Sequence, residues 1–291
     1  MRLLLSADDL IALYERSEPI TPEQFKAWLQ SRDGCLVLTG TSVVETSVAL
    51  LEAGKASELR GLVQTVTAVP VCYLKEIAIF VEELGGALIA FGRGKEPLTV
   101  DPYVAKWSDT LGISLGKSYV SQGIAEIVTH LWRTAPEALR HFHRYQEILA
   151  EELASEPSAL AANAAPRDFA LQQFERYTER QLKLHGFALP QAGISVFASW
   201  VYSNPLRCPG LRLAFELNQE VVKHANKEPA ETGLRGLGHI HAIPYVDGIT
   251  LQRPLFEHCQ SVSRSLQRVD PTMDYGDRTF ANLRSVLDQW P

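Results

Sequence analysis

The chain has 291 residues, 46% of them hydrophobic, which is enough for one large domain or two small ones with a sizeable core and sets aside a disordered polymer. A formal net charge of −6 with 21% charged residues excludes a uniformly basic nucleic-acid-binding surface, so that binding a polyanion would need a local basic patch. Cys35, Cys72, Cys208 and Cys259 lie far apart with no C-x-x-C pair; neither a zinc knuckle nor a dense disulfide framework is indicated, and a reducing cytoplasm is the expected compartment.

In chain order, the apolar run Arg2 to Leu5 is followed by Ser6-Ala7-Asp8-Asp9 and then by Leu10, Ile11, Leu13 and Tyr14 at helical spacing, which predicts strand, turn, helix. Acidic residues interrupt this start too early for a signal-peptide core, and no run reaches the ~18 apolar residues of a membrane span. Thr21-Pro-Glu-Gln places an N-cap, a first-turn proline and an early acid before a second helix from Pro22 to about Gln30. Cys35 to Thr39 reads as a buried parallel strand, with Ser42 available to cap the helix after it. Strands joined by helices are normally parallel, so the expected fold is α/β, a central parallel sheet flanked by helices.

Residues 56 to 84 read as helical apart from a break at Pro70, ended by Gly85-Gly86. A large, mainly α-helical insertion is expected at about residues 101–230 within a single domain spanning 1–291. Beyond it, Leu234 to Ile243 is helix-like, Pro244-Tyr245 is a stop, Val246 to Leu251 is a buried-strand candidate, and Pro254 begins another helix. Phe280, Leu283, Val286 and Leu287 predict a last helix over Thr279 to Trp290.

Three segments carry a chemical suggestion: Leu-Leu-Leu-Ser-Ala-Asp-Asp-Leu-Ile at 3–11, Thr-Ser-Val-Val-Glu-Thr at 41–46, and Gly-Leu-Gly-His-Ile-His-Ala-Ile-Pro-Tyr-Val-Asp-Gly-Ile-Thr-Leu-Gln-Arg at 236–253. In order and rough spacing they resemble the PIN-like nuclease family. There, an apolar strand ends in an Asp-x-Asn or Asp-x-Asp turn, a glutamate follows the second strand, and a late Asp-x-x-His helix precedes Pro-Tyr-x-Asp and a strand ending Thr-x-Asp. The match covers roughly the first 90 and the last 60 residues.

The resemblance implies a cluster of acids holding Mg²⁺ or Mn²⁺ for endonucleolytic hydrolysis of RNA. Hard divalent cations take oxygen ligands, and such an ion can activate water and neutralise phosphodiester charge. Carried over by position, Glu45 falls on the family glutamate, Asp8 on the second polar position of the first turn, Asp247 on the Pro-Tyr-x-Asp aspartate and His239 on the late histidine, while Thr250 keeps the threonine. Asp8 and Glu45 are the implied metal ligands, with Asp247 and His239 supporting them. Ser6, Gly236 and Gln252 stand where the family has its principal aspartates, and none of these supplies an anionic oxygen. The implied function is therefore a metal-dependent ribonuclease or a catalytically weakened relative; the alternative is a non-catalytic, PIN-like module binding RNA or a protein partner, with no membrane association.

Each of these residues also has a plainer role open to it. Asp8 and Asp9 suit an N-cap or a helix-dipole partner, and Asp247 suits a turn cap. The pairs His141/His143 and His239/His241 cannot share one ion on a helix, where alternate residues point apart. Basic and aromatic residues mingle in the middle of the chain, among them Phe174, Arg176, Tyr177, Arg180 and Lys183, in a mixture that suits RNA, although neighbouring glutamates favour ordinary ion pairs. Arg207, Arg212 and Arg253 are the candidate substrate-binding cations.

Overall fold

Alternation along two short strands decides the architecture. In β1 (Arg2–Leu4) and the residue after it, Leu3 and Leu5 are buried on one face of the sheet and Leu4 on the other; in β2 (Cys35–Leu38), Leu36 and Leu38 share the first face and Val37 the second. Both faces are apolar, so helices must cover both. The computed structural model describes residues 1–17, 20–75, 77–104, 166–224 and 237–290. Histidines 141 and 143, with the basic and aromatic residues around them, lie outside this range, as does Gly236.

The first face carries α1 (Ala7–Tyr14), α2 (Pro22–Ser31), α3 (Gly40–Glu52) and α4 (Leu59–Thr67), through residues such as Leu10, Phe25, Leu50 and Leu62. On the second lie α5 (Ile77–Gly92), α6 (Pro166–Leu184), α7 (Gln191–Ser203), α8 (Pro209–His224) and α9 (Arg253–Gln267), which contribute Phe80, Phe174, Phe197, Leu211 and Leu255. The described part of the expected helical middle thus supplies much of one core layer.

Among the described residues the sheet has six strands in the order β4-β3-β2-β1-β5-β6. Here β3 is Val71–Leu74, β4 Tyr103–Val104, β5 Gly248–Thr250 and β6 Thr279–Phe280, and all neighbours are parallel except β3 and β4. The expected parallel α/β sheet is present, with an antiparallel edge.

Several local expectations are corrected. Val71–Leu74 is a strand, because Val71, Cys72 and Tyr73 pair along β2, with the Leu36 N–H donating to the Pro70 carbonyl at 2.8 Å. Helix α5 passes through Gly85-Gly86 and ends at Gly92; a Cβ on Gly85 would come within 3.2 Å of the Phe187 ring, so this glycine serves close packing. Thr39, not Ser42, is the N-cap of α3, and Ser42 completes a reciprocal capping box. Pro244-Tyr245 lies inside a 3₁₀ helix, Leu237–Tyr245, and the final helix α10 (Leu283–Gln289) is preceded by β6.

Cys35 and Cys72, on adjacent strands, are joined by a disulfide with Cα atoms 5.9 Å apart. Among the described residues, no helix is long and apolar enough to cross a membrane.

Candidate functional site

The chain leaves β1 into α1 on one face of the sheet, and leaves its neighbour β5 into α9 on the other. Such a reversal opens a crevice at the C-terminal ends of the two strands, the usual ligand position in open α/β sheets. A small cleft, continuous with solvent, lies there. It is lined by Ser6 and Asp8 after β1, by Glu45 and Glu52 on α3, by His239, and by Thr250 and Gln252 at the end of β5.

Each side chain is placed by a short-range cause. Ser6 is the N-cap of α1: its Oγ accepts from the Asp9 N–H at 3.2 Å and donates to Asp9 Oδ2 at 2.8 Å. The next turn of chain then carries Asp8 to the cleft. Thr250, 1% exposed, ties the strand ends together as its Oγ1 accepts from the Ser6 N–H at 2.7 Å. Glu45 projects from α3 with its side chain 14% exposed, and its Oε2 lies 3.0 Å from Nε2 of His239. Gln252 donates from its amide nitrogen to Asp8 Oδ2 at 2.9 Å.

Asp8, Glu45 and His239 all line this cleft, with Ser6 and Gln252 among them. Glu52 was missed. It stands seven residues after Glu45, two helical turns on, so the spacing Glu-x₆-Glu on an amphipathic helix was the signal for a second acid on the same face. Asp9, open to either role in the sequence, is structural: it is 5% exposed, and its Oδ1 accepts from the Leu283 N–H at 3.0 Å. Burial raises its pKa above the ordinary aspartate value against the pull of Thr250, Leu283 and Ser6.

Three expected site residues lie elsewhere. Asp247 precedes β5, about 10 Å along the strand from Thr250, and its carboxylate accepts from the Arg2 N–H at 2.8 Å, closing the opposite end of the sheet. This ties β5 to the start of β1 and is neither a cleft role nor a cap on the local turn. Arg212 is 3% exposed, ion-paired to Glu216 and laid 3.9 Å over the Tyr202 ring, so it is a core cation and not a substrate contact. Arg207 clasps Glu96 and stacks 4.3 Å over Trp200, whose ring meets Phe91 in the last turn of α5, about 20 Å along that helix from its start after β3. Of the candidate cations only Arg253, next to Gln252 and 85% exposed in its side chain, flanks the cleft, where it pairs with Glu257.

The rings of Phe174 and Tyr177 are buried in the core, so neither is a platform for bases. Nearby, Arg180 lies over Tyr177, and Lys183 pairs with Glu179 as an ordinary helical ion pair. No protein-family model, no curated protein and no solved structure matches the chain.

Proposed function

We propose that this protein is a PIN-like, divalent-metal-dependent endoribonuclease whose acidic cluster has been weakened. The reading is carried by one observation: Asp8, Glu45 and Glu52 converge on a single solvent-open cleft at the point where strand order reverses, beside β1 and β5. Carboxylates so placed suit Mg²⁺ or Mn²⁺, which prefer oxygen donors and keep several waters when protein ligands are few. The donor set fits such an ion incompletely, because the amide of Gln252 presents N–H groups to Asp8 where an acid would have presented oxygen.

In this reading Asp8 and Glu45 would hold the ion, which when bound supplies Lewis acidity and an activated water. His239 orients Glu45 by holding one carboxylate oxygen. Arg253 offers a positive charge at the rim for a phosphate of the RNA, and Ser6 and Thr250 fix the turn from which Asp8 projects. With fewer charges around the ion its binding is weak, so activity needs millimolar rather than micromolar metal.

A second reading, a non-catalytic module that binds RNA or a protein partner, is favoured by the engagement of both principal carboxylates, Glu45 by His239 and Asp8 by Gln252. Incubating the protein with single-stranded RNA at millimolar Mn²⁺ separates the two. The ribonuclease reading predicts slow cleavage that Glu45→Gln abolishes, the amide keeping a hydrogen-bonding partner beside His239. RNA retained but uncut at every Mn²⁺ concentration would establish the module instead.

A further inference from the structure

A second group of ligating side chains lies away from the cleft, between α8 and α9. We propose that Glu220, His224 and His258 form a binding site for one divalent transition-metal ion of the Zn²⁺, Co²⁺ or Ni²⁺ class. One ligand atom from each residue can be chosen so that all three lie within 4.8 Å of one another. Glu220 and His224 are four residues apart on α8 and share a face, while His258 reaches them from α9. Bonds of about 2.0–2.2 Å to a tetrahedral ion would draw the three atoms in to roughly 3.3 Å apart, a change within the reach of side-chain rotation.

The surroundings favour coordination over a chance encounter. Nδ1 of His224 lies 2.9 Å from the Glu220 backbone carbonyl. Donating that proton fixes the tautomer and aims the Nε2 lone pair outward, the arrangement that second-layer partners commonly impose on metal-binding histidines. The His224 and His258 rings are 5.2 Å apart, and His258 is 5% exposed. The Glu220 side chain is 15% exposed. Its Oε2 also lies 3.2 Å from the Lys223 ammonium.

Two imidazoles and one carboxylate make a borderline-soft set, which separates this site from the all-oxygen cleft and selects transition metals over Mg²⁺. Three protein ligands leave a fourth position for water or an exogenous ligand.

The test uses the full-length, untagged chain, stripped with a chelator and dialysed against Zn²⁺ or Co²⁺. Expected are about one metal ion per chain, a visible Co²⁺ absorption band typical of low coordination, and a rise in melting temperature, all retained in Glu45→Ala. His224→Ala and Glu220→Gln should each weaken binding by more than about tenfold while melting like the metal-free wild type. His258→Gln, at a buried position, is read only against its own metal-free melting curve. Absence of bound metal in the wild type, undiminished binding in both His224→Ala and Glu220→Gln, or loss in Glu45→Ala alone would overturn the proposal. Because Glu45→Ala disables only the cleft, failure of one site is distinguishable from failure of the other.

Discussion

Replacing Glu83 with alanine is expected to destabilise the fold by about 3 kcal/mol or more, measured by urea denaturation at neutral pH. Glu83, on α5, is 4% exposed and holds the start of α8. Its carboxylate accepts from the Gly210 N–H at 2.9–3.0 Å, the Leu211 N–H at 3.3 Å, the Cys208 thiol at 3.3 Å and the Tyr245 hydroxyl. Two of these donors are helix-start N–H groups with no intrahelical partner, so truncation leaves several buried donors unsatisfied at once. Gly210 is part of the same device, since a Cβ there would lie 2.8 Å from Glu83 Oε2.

Burial raises the Glu83 pKa above 4.5, and the donors only partly reverse it; the same burial, with Glu83 alongside, raises the Cys208 thiol well above its usual value and keeps it a donor. A carboxyl whose pKa rises on folding contributes stability that is fully present below 4.5 and is lost as pH rises through the folded value. Glu83→Gln, with one acceptor oxygen in place of two, should be destabilised less than the alanine variant and should lack that pH-dependent component. A loss below about 1 kcal/mol in Glu83→Ala would contradict this account.

The second large effect is an acid sensitivity centred on His241. Its Nδ1 is sealed from solvent without a hydrogen-bond partner, and its ring packs 4.6 Å from that of Phe80. Burial first, and the neighbouring His185 second, push its pKa down to about 4 from 6.5. The unfolded chain therefore binds the proton more readily, so the stability contributed by neutral His241 is fully present above pH 6.5 and is lost as pH falls through about 4. At about 1.4 kcal/mol per pH unit, wild type should lose roughly 2–3 kcal/mol more than His241→Leu between pH 7 and pH 4. Burial also lowers the pKa of His185, which adds a loss of the same sign in both proteins. Parallel denaturation curves for wild type and variant across that range would refute the assignment.

What was legible in the sequence follows the strength of local signals. Leu-Leu-Leu after Arg2 and Cys-Leu-Val-Leu after Gly34 are short apolar runs that suit a doubly covered strand, and Thr21-Pro-Glu-Gln carries an N-cap and a first-turn proline; all three are found as expected. Val71–Leu74 was lost because Lys75, Glu82 and Glu83 extend a helical pattern back across it, and pairing with β2 overrode that pattern. Two-residue strands such as Tyr103–Val104 and Thr279–Phe280 are too short to have a period.

The site divides in the same way. Asp8, Glu45 and His239 were grouped in the sequence by their order along the chain, and the fold brings them to one cleft. Asp247 could not be placed from sequence, since whether it faces the cleft or Arg2 depends on which end of β5 it occupies. Arg212 looked like an available cation because the Tyr202 ring beneath it becomes a neighbour only when α8 packs against α7, although Glu216, four residues on along α8, was a partner the spacing already offered. Glu83 carries no local signal of its role, which exists only through the start of α8, more than a hundred residues later.

The most direct test of the proposed weakened nuclease is to restore its acids. The double variant Ser6→Asp, Gln252→Asp keeps a good N-cap at position 6 and removes the amide that occupies Asp8. Measured by Mn²⁺-dependent thermal shift and RNA cleavage side by side, it should melt lower than wild type without metal, because of added carboxylate repulsion, and higher with it. RNA hydrolysis should rise well above the wild-type rate, and adding Glu45→Gln should remove the gain. A folded double variant that responds to Mn²⁺ no more than wild type and cuts RNA no faster would contradict the assignment of this cleft as a metal-dependent nuclease site.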